Sequence, residues 1–296
     1  MEKLFIIGDT HFGLDAEKPM DVFGSRWEDH ASKISESWKN RISENDVTIV
    51  NGDLSWGISL NETRRDLALL NSFPGRKILL KGNHDLWWET MTKVSGFFRD
   101  EKFDSLLPLY NSACYLPRAD VLICGTRGWR VPDNAEYQPS DAKVLRREMM
   151  RFELSVNYGR TLAERFRALR ESPACGSPAC ADGKGTASGK AALYGAAGSG
   201  YIIDACDDAA SKRDGPEIIA VFHYPPFDYG TKRDTEWAEL LGRYNVKRCF
   251  FGHVHNVGPC KRNGEGEPLP VLQRNGIGYY LTAADYLGFE PMEIRL

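Results

Sequence analysis

Five of the six histidines in this chain stand in short clusters with acids and an amide: Asp9-x-His11, Gly52-Asp53, Gly82-Asn83-His84-Asp85, His223, and Gly252-His253-x-His255. Imidazole nitrogen together with carboxylate oxygen suits first-row divalent ions such as manganese, iron or zinc, whereas calcium and magnesium sites draw almost wholly on oxygen. The donors outnumber what one tetrahedral or octahedral ion can use. Two ions roughly 3.5–4 Å apart, sharing a bridging carboxylate, would use them and would clamp the attacking and leaving oxygens of an in-line displacement.

Residues so far apart in sequence meet only if the fold carries each cluster to one rim. The pattern around them is short apolar runs, rich in β-branched and aromatic residues, at 4–8, 47–51, 77–81, 121–125, 218–223 and 248–252. These predict buried strands. Helical spacing over 27–42, 60–72, 89–100, 142–170 and 235–244 predicts helices between them, and strand followed by helix, repeated, predicts a layered α/β fold. Shorter runs near 106–116 and 278–282 add strands without crossover helices, so the sheets are expected to be mixed rather than purely parallel. In such a fold the strand ends and the loops after them converge on one edge, where the clusters lie.

The five clusters, in this order, resemble the motifs of the calcineurin-like metallophosphoesterases: D-x-H, G-D, G-N-H-[DE], H and G-H-x-H. Asp9 to His255 spans all of them. The resemblance implies a four-layer αββα sandwich, two mixed β-sheets flanked by helices. It implies one divalent ion on Asp9, His11, Asp53 and His255 and a second on Asp53, Asn83, His223 and His253, with Asp53 bridging and a shared hydroxide as nucleophile. It also implies that His84 contacts the phosphoryl group or protonates the leaving oxygen, as an imidazole titrating near neutrality can. Asp85 would orient that ring, or else cap a helix beginning near Leu86. Asn83 would also touch substrate.

Departures from subfamilies narrow the expectation. Protein serine/threonine phosphatases of this superfamily carry G-D-x-x-D-R-G and G-N-H-E, whereas this chain reads Gly52-Asp53-Leu54-Ser55-Trp56-Gly57 and closes its third motif with Asp85. A phosphoprotein substrate loses support, and a small phosphorylated molecule is expected. With 38 Lys and Arg against 41 Asp and Glu, the net charge of −3 gives no sign of general nucleic-acid binding. A metal-stabilised, non-catalytic binding scaffold is the alternative; the retained His84 argues against it.

Further residues carry weaker signals. Arg127 or Arg130 could fork onto a phosphate, and Trp129, Trp56, Trp87, Trp88, Tyr224 and Phe227 could wall a pocket or simply pack in the core. His30 reads as a satisfied or surface histidine. Residues 171–216, rich in Ala, Gly and Ser with Ser-Pro-Ala-Cys occurring twice, read as a flexible insertion in a single domain spanning 1–296, or as a lid. The apolar run at 4–7 is too short for a signal-peptide core and no stretch has the length of a membrane span. Seven cysteines, an odd number, read as reduced thiols, so a cytoplasmic protein is expected.

Overall fold

The structure, a computed structural model, describes residues 2–16, 18–171, 192–193, 200–203 and 215–296. One sheet has five strands in the order β13-β1-β2-β3-β4, where β1 is Leu4–Ile7, β2 Val47–Asn51, β3 Arg76–Leu80, β4 Leu106–Pro108 and β13 Met292–Ile294. Its first four strands run parallel in sequence order and β13 closes the edge antiparallel to β1. The second sheet is centred on four parallel strands, β6 (Val121–Thr126), β9 (Glu217–Phe222), β10 (Arg248–Phe251) and β12 (Ile277–Leu281). Two antiparallel partners, β5 (Ala113–Leu116) and β11 (Leu272–Arg274), flank them, and β8 (Tyr201–Ile202) and β7 (Ala192–Leu193) extend the β5 edge. Two mixed sheets flanked by helices are the architecture the resemblance implied.

The central strands are apolar on both faces and buried along their length, as strands covered on both sides must be. Helices α1 (His30–Arg41), α2 (Arg64–Ser72) and α3 (Met91–Asp100) follow the first sheet's strands in the chain. The long α4 (Asp141–Glu171) packs on β5 and β6, and α5 (Glu236–Arg243) carries a buried apolar stripe of Trp237, Leu240 and Leu241. Thr90 caps α3 by accepting the backbone N–H of Lys93, which sets the helix start at Met91 rather than near Leu86. No helix among the described residues is long and apolar enough to cross a membrane.

Most of 171–216 lies outside the described residues, so the expectation of a flexible insert or lid there falls outside them too. Within that range β8 pairs with β5, and Tyr201, Ile202 and Ile203 are buried. A three-residue apolar run inside a Gly- and Ala-rich stretch is too short to register as a strand by periodicity alone. Of the cysteines, Cys114, Cys124, Cys249 and Cys260 are free.

Asn51, the last residue of β2, fastens the two sheets at the rim. Its side-chain N–H donates to the carbonyl of Phe222 at the end of β9, and its amide oxygen accepts from the Thr282 hydroxyl just past β12. Its own backbone carbonyl faces Nδ1 of His223 at 3.2 Å.

Candidate metal centre

Seven strand ends converge on this rim. The loop after β1 brings Asp9 and His11, the loop after β2 Asp53, the loop after β3 Asn83 and His84, His223 directly follows β9, and the loop after β10 carries His253 and His255. The remaining two, β6 and β12, deliver Arg127 and Asp285.

Two groups of donors form there. Asp9, His11 and His255 make one and Asp53, His223 and His253 the other, the ligand atoms of each lying within 4.8 Å of one another. Nε2 of His255 is 3.5 Å from Asp9, Nε2 of His223 is 3.5 Å from Asp53, and Nε2 of His11 is 3.9 Å from Asp53. Asp53 thus faces both groups, as a bridging carboxylate must. The Asn83 amide oxygen stands 2.7 Å from Nε2 of His223, at the second group.

The motif backbones brace one another. Asp9 accepts the N–H of His253 on both carboxylate oxygens, at 3.0 Å each, and Asp53 accepts the N–H of His84 at 2.8 Å. The backbone N–H of His11 donates to the carbonyl of Asp53, and that of Asp9 to the carbonyl of Gly52. Two glycines are required by close approach: a Cβ on Gly82 would lie 2.0 Å from an oxygen of Asp53, and one on Gly252 would lie 2.3 Å from an oxygen of Asp9. Their place beside the ligands is therefore a matter of room for carboxylates more than of turn geometry. Four of the donors sit in left-handed backbone: φ is 55° at Asp9, 45° at His11, 50° at Asp53 and 69° at His253. Such a conformation costs a non-glycine residue about 1–2 kcal/mol, and it persists where surrounding structure over-determines it.

Electrostatics fit the residues to a bound divalent ion. Asp9 and Asp53 are fully buried. Burial pushes His223 and His253 down to about 3 and holds His11 well below its ordinary value, so these imidazoles are neutral, the form in which histidine can hold a metal ion. Burial, with Asp85 and Asp9 nearby, drives the Asp53 carboxyl well above the usual range. Nδ1 of His11 is buried with no hydrogen-bond partner. Clustered carboxylates, neutral imidazoles and an orphaned ring nitrogen together describe a site short of positive charge.

His255 behaves differently. Burial would lower it, but hydrogen bonds to Asp285 and Asp9 prevail and raise it to about 10. Nδ1 of His255 is 2.9 Å from one oxygen of Asp285, whose other oxygen accepts the N–H of Asn256 at 3.0 Å. In metal sites a carboxylate so placed orients the imidazole and fixes its tautomer. Neither Asp285, in the four-residue α6 (Ala284–Leu287), nor Asn51 was identifiable as functional from sequence.

His84 opens with His11, Asp53, His253 and His255 onto a cavity of about 290 Å³ walled by Trp27 and Trp56. Its ring lies 4.6 Å from that of Trp56, and burial lowers its pKa. His11 stacks on the same Trp56 at 4.7 Å. The aromatic wall anticipated at Trp56 is there, joined by Trp27; Phe227 packs instead among core rings of Phe251 and Tyr279, and Tyr224 lies 4.1 Å from His253.

Asp85 is differently employed from both expectations. Its buried carboxylate accepts the backbone N–H groups of Leu54, Ser55 and Gly82 and the indole N–H of Trp87. It clasps the loop after β3 to the loop after β2, neither capping a helix nor directed at the His84 ring. Arg127 and Trp129 do not line the cavity of His84. The Trp129 indole N–H donates to Asp141 and its face carries the Arg127 guanidinium at 4.4 Å, while Arg130 pairs with Glu136. His30 is satisfied between the carbonyls of Trp27 and His11.

The family match agrees with this geometry. Residues 2–150 match the family model for the calcineurin-like phosphoesterases. An uncharacterized protein of Methanocaldococcus jannaschii is 29% identical over 90 residues, a match covering 30% of this chain and half of that protein. Among solved structures, a protein of unknown function from Aquifex aeolicus aligns over 99% of this chain and 96% of its own, with TM-score 0.45 and 14% identity. The phosphopantetheinyl hydrolase of Mycobacterium tuberculosis aligns over 99% and 95%, with TM-score 0.44 and 12% identity. With the matched segment supplying Asp9 through Asp85 and spanning half of the sequence, the chain belongs to the calcineurin-like phosphoesterase family.

Proposed function

We propose that this protein is a dinuclear metal-dependent phosphoesterase that hydrolyses a small phosphomonoester or phosphodiester by in-line displacement. The observation that carries the reading is the pair of donor groups, Asp9, His11, His255 and Asp53, His223, His253, with the non-ligand His84 opening onto the same cavity. Asp9, His11, Asp53 and His255 would hold one ion and Asp53, Asn83, His223 and His253 the other. Bound there, two ions of manganese, iron or zinc would supply Lewis acidity and a nucleophile from water near neutral pH.

The chain's own residues do the rest. Asp285 holds the His255 ring so that Nε2 faces Asp9, and Asp53 keeps the third motif in register by accepting the His84 N–H. His84, in its half-buried pocket, donates a ring N–H to a phosphoryl oxygen or, when protonated, transfers a proton to the leaving oxygen and returns to the neutral ring. Trp27 and Trp56 exclude water from one side and present apolar faces to a leaving group. Four free thiols suit a reducing compartment, and we infer a cytoplasmic location on that ground.

The test is hydrolysis of p-nitrophenyl phosphate and bis-p-nitrophenyl phosphate by metal-stripped protein refilled with manganese, zinc or nickel. Metal-restored turnover is expected, and the preferred ester separates monoesterase from diesterase. No turnover of either ester with two ions bound would overturn the reading in favour of a scaffold.

A further inference from the structure

A second cavity, of about 230 Å³, lies on the same rim but shares no lining residue with the one containing His84. Lys81, Arg127, Arg147 and Arg151 line it, against only two carboxylates, Glu89 and Glu148. Both carboxylates are committed. Glu89 pairs with Lys93, and Glu148, at the base, accepts from the Thr126 hydroxyl and from Arg151 at 2.6 Å. Arg147 stands 3.8 Å from the same Glu148. Lys81 and Arg127 form no ion pair among the described residues; Lys81 spends one N–H on the carbonyl of Trp88, and Arg127 lies on Trp129. Nε of Arg127 is buried without a hydrogen-bond partner.

Crowding cations into a partly buried space is unfavourable unless an anion joins them. A buried guanidinium N–H with no acceptor is likewise a donor short of its partner. We propose that this cavity is a phosphate-binding site, with Lys81, Arg127 and Arg147 supplying the donors. Phosphate fits the chemistry: as a dianion it offsets more than one cation, and a planar guanidinium forks onto two of its oxygens. The site adjoins the metal ligands through the backbone. The carbonyl of Arg127 accepts the N–H of His223 and of Tyr224, and Lys81 leads directly into Gly82-Asn83-His84. A phosphate held there is either the second phosphate of the substrate or a free phosphate acting on the neighbouring loops.

The experiment titrates inorganic phosphate into the EDTA-treated protein, followed by calorimetry and tryptophan fluorescence, since Trp88 lines the cavity and Trp129 lies against Arg127. Saturable binding is expected without metal, weakened about tenfold by Lys81→Gln or Arg147→Gln for each charge-assisted contact removed, and weakened further by salt. Arg147 is half exposed, so its variant keeps the fold, and circular dichroism checks both. Absence of metal-independent binding, or binding as tight as wild type in both variants, would overturn the proposal. Only the identification of the source rests on the hydrolytic reading. In the manganese-loaded protein, a rise in KM confined to an aryl bisphosphate in Arg147→Gln supports a second substrate phosphate. A change in p-nitrophenyl phosphate turnover on adding phosphate, lost in that variant, supports a free phosphate. If the loaded protein hydrolyses nothing, the metal-free titration still decides whether the site exists.

Discussion

Replacing Asp285 by asparagine tests the logic of the metal centre away from the metal. Asp285 touches no substrate cavity, but its carboxylate faces Nδ1 of His255 at 2.9 Å and accepts the N–H of Asn256 at 3.0 Å. With Asp9 it raises His255 from 6.5 to about 10 against the opposing effect of burial. That net displacement corresponds to about 5 kcal/mol of proton binding in the ion-free protein, at roughly 1.4 kcal/mol per tenfold change in affinity, and since burial opposes it Asp285 and Asp9 together contribute more than that. An asparagine supplies only one acceptor, so its amide group must oppose either the His255 ring or the Asn256 N–H. Loss of such an orienting carboxylate costs roughly 10–100-fold in metal affinity. The Asp285→Asn protein should therefore bind manganese about 10–100-fold more weakly by calorimetry, with its fold retained. The pH dependence has a definite sign. The folded-state pKa of His255 lies above the unfolded value, so its contribution to the stability of the ion-free protein is complete below about 6.5 and is lost as pH rises through about 10. Denaturant midpoints of the ion-free wild type should fall across that window, and those of the variant should fall less. Metal affinity within twofold of wild type, together with an unchanged pH profile, would refute the orienting role.

Three further outcomes follow from the site. His84→Ala should lower kcat by about 10²–10⁴-fold while leaving metal binding intact, and near-normal turnover would remove His84 from the chemistry. Gly82→Ala would set a Cβ 2.0 Å from an oxygen of Asp53; denaturant titration should show a loss of about 1–3 kcal/mol and calorimetry a weakened metal site. Chelation should lower the thermal midpoint, because an ion at about 1,000 times its Kd stabilises the fold by about 4 kcal/mol; equal melting with and without EDTA would show that these donors hold no ion.

The residues that speak from the sequence are those whose type is unusual for their place. A histidine or aspartate directly after a buried apolar strand is conspicuous, so Asp9, His11, Asp53, His223, His253 and His255 could be read, and with them the strands that carry them. Asp285 could not, since an aspartate at the start of a one-turn helix looks like any first-turn acid. Asn51 at a strand end looks like a turn residue, and its three rim contacts exist only once the sheets are assembled. Asp85 was legible as part of a motif but not in its employment, because the backbone N–H groups it collects come from 30 residues upstream as well as from its own loop. The β11 and β13 strands were missed for a related reason: three residues at a sheet edge carry too little pattern to be told from loop.

The left-handed backbone at Asp9, His11, Asp53 and His253 has a consequence for divergence. At each of these positions the fold would be more comfortable with glycine, or with asparagine, which tolerates positive φ. Their donor atoms keep the present side chains there, and at Asp9 and Asp53 so do the backbone N–H groups of His253 and His84 that the carboxylates accept. A descendant freed from hydrolysis should accumulate glycine and asparagine at His11 and His253, and asparagine at Asp9 and Asp53 where an amide oxygen still accepts the N–H groups, and become more resistant to unfolding as it does so. Loss of function in this lineage would then be recorded as a gain in stability, written at four addresses that can be read from sequence.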